Sequence, residues 1–190
     1  MFPNGNKYEG QTKNRKKHGR GTFTWSSGEK YEGDWVSNKK TGTGIFTWPD
    51  GTKYEGQLVN DKKHGKGTYA WSDGRIYIGN WIDDSRTGKG TLASPDGGKY
   101  TGDWVDDGKT GKGTATFSNG DRYAGDWIEG TKTGKGIYTW EDGDKYIGDW
   151  IDDSRTGNGI MLWLSGSKYE MRYSLIILPR LTNSYVSIVI

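Results

Sequence analysis

The chain has 190 residues, with 32 glycines, ten Trp, twelve Tyr, four Phe, no cysteine and a formal net charge of +3. The missing cysteines exclude a disulfide framework and a thiolate metal site, and the aromatic content excludes a chain that stays unfolded. Two of the positive charges, Arg172 and Arg180, lie near the C-terminus, which leaves about +1 elsewhere and gives no long-range attraction to nucleic acid.

In chain order, Phe2-Pro3-Asn4-Gly5-Asn6-Lys7-Tyr8 matches Trp48-Pro49-Asp50-Gly51-Thr52-Lys53-Tyr54. The chain is therefore expected to begin inside the second strand of a preceding unit. From there a tyrosine returns every 23 residues, at Tyr8, Tyr31, Tyr54, Tyr77, Tyr100, Tyr123, Tyr146 and Tyr169. A fixed period of this size marks one supersecondary unit copied along the chain. Glycine follows the tyrosine by two positions, as at Gly33 and Gly125, and a GxG pair recurs as Gly42/Gly44 or Gly134/Gly136. With only four prolines and no three-residue period, the glycine content does not signify collagen.

Within a unit, residues 123–128 place Tyr123, Gly125 and Trp127 on one face of an extended strand and Ala124, Asp126 and Ile128 on the other. Residues 136–140 repeat the pattern with Gly136, Tyr138 and Trp140 in line, so each unit is predicted to hold two strands. Pro49-Asp50-Gly51, Ser72-Asp73-Gly74 and Glu141-Asp142-Gly143 are turn sequences and predict tight hairpins. The other connection, Ile82 to Gly88, is expected to be a longer, solvent-facing loop. Stacked side by side, such hairpins give an all-β, elongated, single-layer antiparallel sheet, a ribbon of roughly 75 Å over eight units. The array is assigned to residues 2–170. Residues 171–190, with Met171 where glycine belongs, are read as an out-of-frame or alternatively spliced end, the alternative being an apolar strand pair that caps the sheet edge.

Tyr31-Glu32-Gly33-Asp34-Trp35 with Thr41-Gly42-Thr43-Gly44, and Tyr54-Glu55-Gly56 with His64-Gly65-Lys66-Gly67, resemble the MORN repeat, over about residues 2–170. The resemblance implies a β-hairpin ribbon (a solenoid of stacked units) that binds and scaffolds. Family members serve as accessory modules in junctional membrane proteins, phosphatidylinositol-phosphate kinases, radial spokes, cytoskeletal scaffolds and a histone methyltransferase. Leu58 stands where tryptophan belongs, and Leu92, Ser94 and Ala115 thin the aromatic row, so that patch is expected to be the weakest part of the ladder.

Candidate catalytic chemistry is sparse. His18 and His64 occupy a slot that Thr41, Thr87, Thr110, Thr133 and Thr156 fill in other copies, a loop slot by this reading, which argues against a base or ligand. Gly108-Lys109-Thr110 lacks the upstream glycine and following helix of a phosphate loop, and Asp83-Asp84, Asp106-Asp107 and Asp152-Asp153 lack calcium-loop spacing. The reading is therefore non-enzymatic, with no catalytic residue, cofactor or metal. The candidate packing or partner-binding face comprises Tyr31, Trp35, Trp48, Tyr54, Trp71, Tyr77, Trp81, Tyr100, Trp104, Tyr123, Trp127, Trp140, Tyr146 and Trp150. A lone sheet must curl this face on itself, pair it with a second copy, or offer it to a partner segment. The expectation is a scaffold using a concave aromatic groove to bind a protein partner or form a homodimer.

The alternatives are a peripheral membrane or phosphoinositide-associated module acting through Lys7, Lys30, Lys53, Lys99, Arg122, Lys145 and Lys168, or the accessory region of a larger enzyme. Nucleic acid is not an expected partner. The first residues have no secretory-signal pattern, and the expected setting is intracellular and cytoplasmic, with cytoskeletal or membrane association.

Overall fold

The computed structural model describes residues 2–172, which form fifteen antiparallel strands in one open sheet whose spatial order is the chain order. The strands are β1 Lys7–Lys13, β2 Lys16–Thr24, β3 Lys30–Val36, β4 Lys39–Thr47, β5 Lys53–Val59, β6 Lys62–Ala70, β7 Ile76–Ile82, β8 Ser85–Ala93, β9 Lys99–Val105, β10 Gly108–Thr116, β11 Arg122–Ile128, β12 Thr131–Thr139, β13 Lys145–Ile151, β14 Ser154–Leu162 and β15 Lys168–Arg172. The expected all-β ribbon of stacked hairpins is the observed architecture. Residues 173–190, on which most of the tail reading falls, lie outside the described residues.

The two connections exchange the roles expected of them. Inside each unit, two residues alone join the strands, and both have positive φ: +47° and +76° at Asp83 and Asp84, +49° and +73° at Ser37 and Asn38. This mirror-image turn matches the twist of the flanking strands. The longer loop predicted over residues 82–88 is therefore a tight hairpin, with Ser85 already in β8. Asp and Asn tolerate the left-handed region well enough to make such a turn without glycine, which hid it in the sequence. The roomier connection carries the Asp-Gly sequence. At Trp71–Arg75, the Gly74 N–H donates to the Trp71 carbonyl at 3.0 Å and the Trp71 N–H to the Arg75 carbonyl at 2.9 Å, with Gly74 at φ +87°.

Each GxG pair combines two different requirements. Between β3 and β4, Gly33 pairs with Gly44 but Asp34 pairs with Thr41, so Gly42 and Thr43 bulge out of the ladder. Gly42 takes φ +59° to form the bulge, and the Asp34 carboxylate accepts the Thr43 N–H at 3.0 Å to hold it. The second glycine has another reason. A Cβ on Gly44 would sit 2.5 and 2.6 Å from Cε2 and Cζ of Tyr31, whose ring lies across the Gly33/Gly44 pair. The sequence thus buries a phenol ring by removing side chains beneath it, and Tyr31, Tyr77, Tyr123 and Tyr146 are fully buried without a second layer.

Candidate interaction surfaces

The aromatic face is largely occupied by itself. Of its candidate residues, Tyr31, Trp35, Tyr54, Tyr77, Trp81, Tyr100, Trp104, Tyr123, Trp127, Tyr146 and Trp150 are buried, none more than 4% exposed. Trp48, Trp71 and Trp140 are half-buried and form an outer layer packed on that core. The buried rings alternate edge-on along the ribbon, with Trp104 between Tyr77 and Tyr100 at 5.2 and 5.3 Å and Trp127 between Tyr100 and Tyr123 at 5.2 and 5.1 Å. Edge-to-face contact is the geometry that aromatic quadrupoles favour. Polar atoms are satisfied within the unit stack. Indole N–H groups of Trp35, Trp81, Trp104, Trp127 and Trp150 donate to the carbonyls of Gly21, Gly67, Gly90, Gly113 and Gly136 at 3.0–3.4 Å. The Tyr31 hydroxyl donates to the Asp34 carbonyl at 3.2 Å.

The two aromatic layers break at different places. The outer one runs from Phe23 through Trp25, Phe46, Trp48 and Tyr69 to Trp71, then resumes at Phe117 and Tyr138. The thinned patch at Leu92, Ser94 and Ala115 is its gap, yet the inner layer passes beneath that gap through Trp104 and Trp127. The inner layer is interrupted instead at Leu58, which is 3% exposed and has no indole to offer the Gly44 carbonyl. Leu58→Trp is expected to raise stability by about 1–2 kcal/mol through one hydrogen bond and two ring contacts. Urea denaturation is the measurement.

Burial pushes the phenols of Tyr77, Tyr100 and Tyr123 up to about 12, and those of Tyr31 and Tyr54 higher still. Unfolded phenols ionise near pH 10. The folded chain therefore binds more protons above that pH, and the stability from buried tyrosine is complete below about pH 10 and lost as pH rises toward 12. Thermal melts followed by circular dichroism should show the melting temperature falling steeply over this interval. A constant melting temperature would contradict burial.

A row of cations was not singled out in the sequence. Lys17, Lys40, Lys63, Arg86, Lys109, Lys132 and Arg155 follow each tyrosine by nine positions, and this 23-residue recurrence of one charge type was the available signal. They lie over the rings, with Lys63 5.0 Å from the Trp81 centroid and Arg86 4.5 Å from that of Trp104. The turn of the next unit supplies the counter-charge: Asp84 to Lys63 at 3.4 Å, Asp107 to Arg86 at 2.7 Å and Asp153 to Lys132 at 2.9 Å. The same carboxylates accept the backbone N–H groups of Lys63, Arg86 and Lys132 at 2.9–3.1 Å. The acidic pairs are thus turn residues that lock one hairpin to the one before. For Lys109 that position is Gly130, and burial with the nearby Arg86 charge lowers its ammonium pKa.

His18, His64 and the threonines of their slot lie in strands rather than loops, the bulge having moved the boundary. His64 is half-buried among them, and its Nδ1 has no hydrogen-bond partner among the described residues. Gly108-Lys109-Thr110 opens β10.

The opposite face carries three rows. One is the row beginning Lys7, Lys30 and Lys53; the second contains Glu9, Glu32 and Glu55; the third contains Asp34, Asp103, Asp126 and Asp149. In the N-terminal half the first two rows neutralise each other, through Lys7–Glu9 at 2.9 Å, Lys30–Glu32 at 3.2 Å and Lys53–Glu55 at 2.8 Å. In the C-terminal half the second row becomes Ile78, Thr101, Ala124 and Ile147. The third row pairs within itself, Lys89–Asp103, Lys112–Asp126 and Lys135–Asp149, at 2.7, 2.6 and 2.5 Å. The Lys135 ammonium holds the Asp149 carboxyl below its ordinary range. Between rows two and three, the backbone at Gly125, Gly136, Gly148 and Gly159 floors a trough of about 850 Å³ that crosses β10 to β15.

A stack of hairpins that buries its own tyrosines over glycine pairs defines a β-hairpin repeat protein. The chain belongs to the MORN-repeat family, whose profile matches residues 8–30, 31–53, 54–74, 77–99, 100–122, 123–145 and 146–168. Its fold is similar to the Drosophila melanogaster SAS-4 TCP domain, solved in complex with a proline-rich motif of Ana2, at 13% identity over 90% of this chain and 92% of that one, TM-score 0.52. The CPAP G-box domain aligns over 92% of this chain and 97% of its own length at 14% identity, TM-score 0.48. No curated protein sequence matches the chain significantly.

Proposed function

We propose that the chain is a non-enzymatic scaffold that binds segments of other proteins on the surfaces of its ribbon. The observation that carries this reading is the self-satisfied core: rings, indoles and phenols find their partners within the stack, so the sheet stands without a second layer and keeps one complete face for other molecules. The presence of a proline-rich motif in the complex of the structurally similar TCP domain supports a peptide-binding use of such a sheet. On the aromatic side, the half-buried outer residues Trp48, Trp71 and Trp140 are the ones within reach of a partner or a second copy. The membrane reading is weakened because Lys7, Lys30, Lys53 and Lys168 are each paired with a neighbouring glutamate. An intracellular setting with cytoskeletal association belongs to the same proposal.

Selection from a random peptide-display library on the immobilised chain tests it. Enriched peptides that bind saturably in solution support the scaffold. Absence of any such peptide, or sedimentation with anionic liposomes at physiological salt, overturns it.

A further inference from the structure

We infer that the C-terminal half of the non-aromatic face is a docking trough for an extended polyproline-type segment that carries a carboxylate at every third residue. The inference rests on the scaffold reading and names the partner chemistry. One change of residue type creates the site. Replacing the glutamate of the N-terminal units by Thr101, Ala124 and Ile147 frees Lys99, Arg122 and Lys145 from their ion pairs and gives the trough a less polar wall, with exposed Ile137 and Ile147 upon it. Among the described residues these three cations have no carboxylate within ion-pair distance, whereas Lys112 and Lys135 on the other bank are neutralised by Asp126 and Asp149. The unpaired row Lys99, Arg122 and Lys145 therefore flanks the trough just beyond its apolar wall of Ala124 and Ile147, while the far bank holds the paired Lys112 and Lys135 and, on β15, Arg172.

Spacing selects the conformation of the occupant. Lys99, Arg122 and Lys145 lie on alternate strands, about 9.5 Å apart from one to the next. A polyproline II segment advances about 9.3 Å in three residues and returns the same side to the surface each time. A β-strand covers about 10 Å in three residues but turns each successive third residue to the opposite side. An α-helix needs a little over six residues for the distance and falls short of two whole turns. A segment running across the strands also makes no demand on backbone pairing, since the neighbouring strands already satisfy one another.

Fluorescence anisotropy of a fluorescein-labelled peptide of four Glu-Pro-Pro repeats, titrated with the full chain, tests the inference. Saturable binding is expected, with at least about tenfold weaker binding after Arg122→Glu or Lys145→Glu and less than about twofold change after Lys30→Glu, whose position lies in the neutralised half. A peptide of the same composition with its glutamates consecutive should bind at least about fivefold more weakly. All these side chains are exposed, so unchanged thermal melts verify folding of the variants. No binding of Glu-Pro-Pro up to about 1 mM, equal binding of Lys-Pro-Pro repeats, or indifference to Arg122→Glu overturns the trough. If library peptides without the acidic period still bind, the trough fails and the scaffold stands; if none binds, both fail.

Discussion

Gly113→Val should destabilise the array by about 3–5 kcal/mol, as much as deleting a core aromatic residue. A Cβ at this position would lie 2.5 and 2.6 Å from Cε2 and Cζ of Tyr100 and closer still to its hydroxyl. The ring cannot yield in place, because it is 2% exposed and held edge-on between Trp104 and Trp127. It must leave the stack, and its hydrogen bond to the Asp103 carbonyl at 3.1 Å goes with it. Gly97→Ala separates this effect from backbone strain. Gly97 has φ +89° but nothing within 4 Å of an added Cβ, so only the cost of the left-handed conformation remains, about 1 kcal/mol. Equal effects of the two variants in urea denaturation would contradict the ring-over-glycine account.

Trp104→Ala should also cost about 3–5 kcal/mol. Trp104 is 2% exposed, donates its indole N–H to the Gly90 carbonyl at 3.1 Å and carries Arg86 over its ring at 4.5 Å. Removal opens a cavity between Tyr77 and Tyr100 and takes from the Arg86 guanidinium the nearer of its two rings, leaving Tyr77 at 5.6 Å. Trp140→Ala, in the half-buried outer layer, should cost about 1–2 kcal/mol. Because each unit contacts only its neighbours, weakening the middle of the array should also split one cooperative transition into two, visible as a broadened urea curve. A Trp104→Ala protein that keeps full stability but loses a bound peptide would reassign the ring from packing to recognition.

The strands were legible because Tyr, Gly and Trp alternate at the period of a strand and repeat in successive copies. The choice between packing and binding for the aromatic face was not. It depends on whether a tyrosine can reach across two strands, which follows from the register Gly33↔Gly44 and from no feature of one strand alone. The reversed assignment of tight turn and loop has a local cause. Asp83-Asp84 reads as a solvated turn and is a turn, yet Asp84 bridges to Lys63 in the unit before it, so its role lies 21 residues away in sequence. The first glycine of each GxG was likewise hidden, since its bulge is fixed by a carboxylate or amide side chain on the facing strand. The cation row over the rings is visible in the sequence as a Lys or Arg nine residues after each tyrosine from Tyr8 to Tyr146.

Hydrogen exchange of the tryptophan indoles, followed by ¹⁵N NMR at low protein concentration, tests most directly whether the aromatic core closes within one chain. Indole protons of Trp35, Trp81, Trp104, Trp127 and Trp150, bonded to glycine carbonyls, should be protected together to the limit of global unfolding, while those of half-buried Trp48, Trp71 and Trp140 exchange rapidly. Rapid exchange of all of them, or protection that appears only when a second copy or a partner is added, would mean that the rings are covered by company and not by the chain itself.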